Sequence, residues 1–66
     1  MNHENFGLNL VTILEKKKLS QGDFAKKAGI SEGMLSNYIH GHRDPSLETL
    51  CKMLTALKVP FKRLVD

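Results

Sequence analysis

Apolar residues recur along this chain at steps of three and four, and no stretch alternates apolar with polar, so the pattern predicts helices and no strands. Phe6, Leu10, Ile13 and Leu14, with the aliphatic stem of Lys17, mark one face of a first helix of about three turns. Residues 1–5 are expected to form a flexible lead-in and residues 6–66 a single domain. Ser20 suits the N-cap of a second helix, with Asp23 three residues on in the manner of a capping box. Phe24, Ala25 and Ala28 supply its buried side, while Lys26 and Lys27 face water. A third helix is expected from Glu32 to His40, closed by Gly41 just past its end. The stretch from His42 to Pro45 reads as a loop, because proline disfavours helix in the residue before it. Ser46 then caps a fourth helix whose Leu47, Leu50, Cys51, Leu54 and Leu57 share one face. Lys58-Val59-Pro60 breaks that helix, and Phe61 to Val65 forms a last short turn.

The junction between the second and third helices carries more than periodicity. Ala25 is small where two backbones would approach closely, and Gly29 stands where the connection needs a positive φ. Ser31 offers an oxygen to the first amides of the next helix. These residues predict two helices crossing at a tight turn. The commonest use of that shape is to present its second helix to the major groove of DNA.

Composition narrows the picture modestly. The chain has 66 residues, enough for one small domain that buries only about 60% of its unfolded surface. No apolar run approaches the roughly 20 residues needed to cross a bilayer, and Met1 to Asn5 lack the basic and apolar regions of a signal peptide. A cytoplasmic protein with no membrane partner is the default expectation. Cys51 is the single cysteine, so no intrachain disulfide can form, and the leucines around it predict a small buried hydrophobe. The net charge of +3 suits a polyanionic partner without demonstrating one.

On a 3.6-residue wheel the third helix turns Leu35, Tyr38 and Ile39 inward and leaves Met34 on the border. Glu32, Gly33, Ser36, Asn37 and His40 form the opposite stripe. Ser36 and Asn37 are weak helix formers in mid-helix, so a surface that keeps them gives up propensity for hydrogen-bonding side chains. Asn37 is the leading candidate base reader, because its amide matches adenine N6 and N7. Ser36 can donate or accept. Glu32 can accept from a cytosine amine, or can simply be an acid favoured at a helix N-terminus. Gly33 reads nothing but lets the helix approach closely. Candidate phosphate contacts surround the stripe: Gln21 and Ser31 at two helix N-termini, then His40, His42 and Arg43 behind the third helix. An ion pair with an acid is the competing role for Arg43. Lys18 ends a run of three lysines that would complement the first helix's dipole, and is a further phosphate candidate. A histidine beside phosphate gains a proton more easily, so binding would strengthen as pH falls.

The run Leu19-Ser20-Gln21, Ala25, Gly29-Ile30-Ser31, Leu35-Ser36, Gly41, Arg43, Pro45-Ser46, Leu50, Ala56-Leu57 and Val59 resembles the phage repressor and Cro family, of XRE type. The resemblance runs from Phe6 to Val65. It implies an all-α, compact five-helix lambda-repressor-like domain that binds operator DNA, usually as a two-fold dimer. In that family the positions of Gln21, Ser31, Glu32, Gly33, Ser36 and Asn37 meet DNA, and those of His40 and the following loop touch phosphate. Many members carry arginine at the place of Leu14 and glutamate at that of Ile39, as a partly buried ion pair; here both are apolar. Replacing both partners by hydrophobes is often neutral or stabilising, whereas replacing one would strand a charge.

The expected function is therefore a sequence-specific regulator of transcription, a repressor in the first instance, acting on a double-stranded operator as a homodimer. Phe61, Leu64 and Val65 are the candidate subunit contact, unless they close the chain's own core. The alternative is a protein-interaction module such as an antitoxin or anti-repressor. No enzyme is expected, since the chain has no paired carboxylates, phosphate loop or triad. No cofactor, metal or small-molecule ligand is expected either: His40 and His42 point apart and Cys51 reads as buried.

Overall fold

Serine at three helix starts and a left-handed residue at four helix ends divide the chain into its elements. A computed structural model describes the backbone of residues 3–65 and the side chains of residues 5–64. Within them lie α1 (His3–Lys16), α2 (Gln21–Ala28), α3 (Glu32–Ile39), α4 (Leu47–Leu57) and α5 (Lys62–Val65), with no strand. Helix α1 begins at His3, one turn ahead of Phe6, where the apolar spacing starts.

The three predicted caps form. Ser20, Ser31 and Ser46 each accept a bond from the amide three residues on, at 3.1, 3.1 and 3.2 Å. Each thereby satisfies one of the donors that a helix N-terminus leaves orphaned. The predicted positive φ is present at Gly29 and Gly41, +74° and +75°. Two lysines do the same work unannounced: Lys18 and Lys58 end α1 and α4 with φ of 55° and 57°. At Lys18 the amide bonds Glu15 O at 3.1 Å and the Leu19 amide bonds Leu14 O at 2.9 Å, so the last turn is closed without a glycine.

Helix α1 packs on α3 and α5, and α2 on α3 and α4. Their common core is Phe6, Leu10, Ile13, Leu14, Phe24, Ala25, Ala28, Leu35, Tyr38, Leu50, Met53, Leu57 and Leu64. Two expectations fail here. On α4 the buried stripe runs Leu50, Met53 and Leu57, so Cys51 is exposed rather than buried and Leu47 is 78% exposed. The helix carries two overlapping apolar stripes, and packing selects the one centred on Met53; Cys51 lies one residue round from Leu50, away from it. Leu64 is fully buried, so it is not available to a partner subunit. It seats α5 against α1, where the Asn9 side-chain amide donates to Leu64 O at 3.0 Å. Phe61 stays 44% exposed, and the side chain of Val65 lies outside the described residues.

A further constraint lies where α1 crosses the end of α3. A Cβ at Gly7 would overlap the Ile39 carbonyl oxygen and stand 2.8 Å from its carbon and 3.2 Å from its Cα. Glycine inside a helix costs about 1 kcal/mol against alanine, so propensity alone would favour Gly7→Ala. The obstacle is backbone, which has no rotamer to yield. Gly7→Ala is expected to lose about 2 kcal/mol or more in urea denaturation; a rise in stability would show that α1 and α3 separate at little cost.

Candidate nucleic-acid interface

The turn between α2 and α3 is built by two backbone bonds around Gly29. Its amide donates to Lys26 O at 3.2 Å, and the Ile30 amide donates to Ala25 O at 2.9 Å. Both carbonyls would otherwise be orphaned at the end of α2, and the pairing requires the left-handed residue between them. Ile30 packs half-buried on the core, and Ser31 then opens α3. At the far end His40 caps α3, Gly41 turns left-handed, and the His42 amide closes onto Asn37 O at 2.8 Å. Leu35 and Tyr38 anchor the inner side of the helix. Its other side faces outward.

The predicted readers lie on that outer side, unequally exposed. Gly33 and His40 are exposed, whereas Ser36 and Asn37 are half-buried. The Asn37 carboxamide has no hydrogen-bond partner among the described residues. Ser36 is engaged: its Oγ is 3.3 Å from His40 Nδ1, and that nitrogen is 2.8 Å from Ser36 O. The His40 and His42 rings stand 6.2 Å apart, tilted at 32°. An added side chain at Gly33 would meet nothing nearer than Ser31 Oγ, at 3.9 Å. Met34, placed on the border by its wheel position, is 38% exposed and flanks Asn37.

Glu32 does not simply project outward. Its carboxylate lies over Gly22 in the first turn of α2, close enough for an added Cβ there to sit 3.3 Å from Glu32 Cδ. That position answers the positive end of the α2 dipole. The same contact brings the starts of α2 and α3, and with them Gln21 and Ser31, to one edge of the outer side. His42 and Arg43 are exposed in the loop at the opposite edge, and Arg43 forms no ion pair among the described residues. Lys18 is exposed at the end of α1. Among the described residues no side-chain hydrogen bond or ion pair ties it to the other candidates. No group of three or more His, Cys, Asp or Glu side chains with metal-binding geometry occurs among the described residues.

Because Ser31 both caps α3 and stands at this edge, two variants separate its roles. Ser31→Ala is expected to lower stability by about 1 kcal/mol. Ser31→Asp keeps an acceptor for the Met34 amide and is expected to restore most of that loss while adding a negative charge to the surface. Thermal denaturation of both checks the cap; equal losses would show that the bond to Met34 contributes nothing.

No helix among the described residues is long and apolar enough to cross a membrane. Comparison with known proteins matches residues 10–64 to a helix-turn-helix family. The chain is also similar to the HTH-type transcriptional repressor RghR of Bacillus subtilis (strain 168), at 33% identity over 63 residues. That likeness covers 94% of this chain and 47% of RghR, so the chain spans about half the length of that relative. The match extends across α2, the Gly29 turn and α3, and the chain belongs to the XRE-type helix-turn-helix family.

Proposed function

We propose that the chain is a transcriptional regulator that binds double-stranded DNA by laying α3 in the major groove. The observation that carries this reading is the outer side of α3, where Glu32, Gly33 and His40 are exposed and Ser36 and Asn37 partly so, between the helix N-termini at one edge and the His42–Arg43 loop at the other. Asn37 reads adenine through its unspent carboxamide, with Ser36, Glu32 and Gly33 alongside it in the groove. Gln21 and Ser31 meet phosphate on one flank, His40, His42 and Arg43 on the other, and Lys18 adds positive charge beyond them. Repression is the direction of control, in keeping with the name of the relative. Two copies bind half-sites about one helical turn apart, with the exposed ring of Phe61 as their contact.

Selection of binders from a pool of random duplexes tests the whole reading, since a recovered palindrome gives the site, its spacing and its symmetry together. On the recovered site Asn37→Ala is expected to cost roughly 1–3 kcal/mol and to relax the preference at one base pair. An equal loss on every sequence would contradict base reading. Affinity is also expected to fall steeply with salt, with a log–log slope of about −0.9 per neutralised phosphate. A flat salt response would instead favour a protein partner.

A further inference from the structure

We infer that His40 engages the DNA backbone only when its ring is doubly protonated, so that binding takes up a proton at this residue. The inference rests on the DNA-binding reading above and deepens it. Its ground is the 2.8 Å contact between His40 Nδ1 and Ser36 O. A carbonyl oxygen only accepts, so Nδ1 carries the hydrogen. A neutral imidazole has one such hydrogen, and Nε2 is then a bare lone pair. A phosphodiester oxygen is also an acceptor, and two acceptors facing one another repel. A proton on Nε2 turns it into a charged donor and leaves the bond to Ser36 in place, giving the short, charge-assisted bond that imidazolium makes with phosphate. Moving the hydrogen to Nε2 without adding a proton would set the Nδ1 lone pair against Ser36 O. The Ser36 hydroxyl is the weaker partner of that nitrogen, at 3.3 Å.

His42 differs in the decisive respect. Its ring nitrogens have no hydrogen bond among the described residues, so its neutral ring can turn an N–H toward phosphate in either tautomer. Charged groups near His40 are few. The loop beyond it supplies His42, Arg43 and Asp44, the last already engaged in an interaction. Helix α1, which packs on this end of α3, carries no titratable residue from Asn5 to Leu14, and its first turn holds His3 and Glu4. Helix α2 packs on α3 as well and carries Asp23, Lys26 and Lys27, all exposed.

The sign follows from linkage. Bound phosphate stabilises the protonated ring, so binding takes up a proton and affinity rises as pH falls. The test measures binding of the selected duplex from about pH 8 to about pH 6 at fixed ionic strength, with thermal melts of each variant to confirm folding. Wild type is expected to gain affinity as pH falls, by at most roughly tenfold per unit, the limit for one proton. His40→Gln offers a donor that needs no proton, and is expected to lose the greater part of the pH dependence, leaving what His42 contributes. Calorimetry in buffers of different ionisation enthalpy is expected to show proton uptake for wild type and clearly less for His40→Gln. His3→Gln and Glu4→Gln are each expected to keep the wild-type slope, and His42→Gln most of it. A slope undiminished in His40→Gln, or abolished by one of the other three, overturns the assignment. Tight but pH-independent binding by wild type overturns this inference alone, whereas failure to bind any duplex sinks the DNA-binding reading along with it.

Discussion

The close passage of α1 over the end of α3 is the constraint from which the architecture follows. Gly7 and the Ile39 carbonyl meet at backbone distance, so the two helices are fixed by main chain rather than by adjustable side chains. Helix α3 is then held at both ends, by the Gly29 turn where it begins and by α1 where it stops. Its inner side is buried through Leu35 and Tyr38. Nothing further is required to hold it, and the opposite side is free to carry polar residues with poor helix propensity. A domain of this size has little stability to spare, so packing a short helix along one side only is also an economy of core.

Leu14 and Ile39 show the same joint in chemical terms. Leu14 is buried in the core and Ile39 is half-buried against it. Many relatives are expected to hold these places with an ion pair, whose desolvation cost offsets much of its attraction. Two hydrophobes avoid that cost and leave no charge to be stranded. In exchange, α1 carries no arginine.

Much of this was legible in the residues, and the reasons differ from place to place. The three serine caps and the Gly29 turn were readable because each is a local device in which one residue type answers one backbone need. Lys18 and Lys58 were not, since a left-handed ending taken by a lysine leaves no compositional mark. Cys51 and Met53 exchanged places because α4 offers two apolar stripes, and only tertiary packing chooses between them. The burial of Leu64 depends on α1, more than fifty residues away in sequence, as its bond to Asn9 records. Around α3 the wheel identified the outer stripe, yet not that Ser36 would be tied to His40 or that Glu32 would lean onto α2. Those are choices of rotamer, and periodicity is silent on them.

The vacancy at Gly33 bears on how such a domain diversifies. An added side chain there meets ordinary space, and the change from glycine would raise helix propensity by up to about 1 kcal/mol. A lineage can therefore install a new group on the outer surface of α3 with a gain in folding stability rather than a loss. Most changes of molecular preference are destabilising and need prior compensation. This position is exempt, and it makes the surface of α3 open to evolutionary retuning while the scaffold beneath stays fixed.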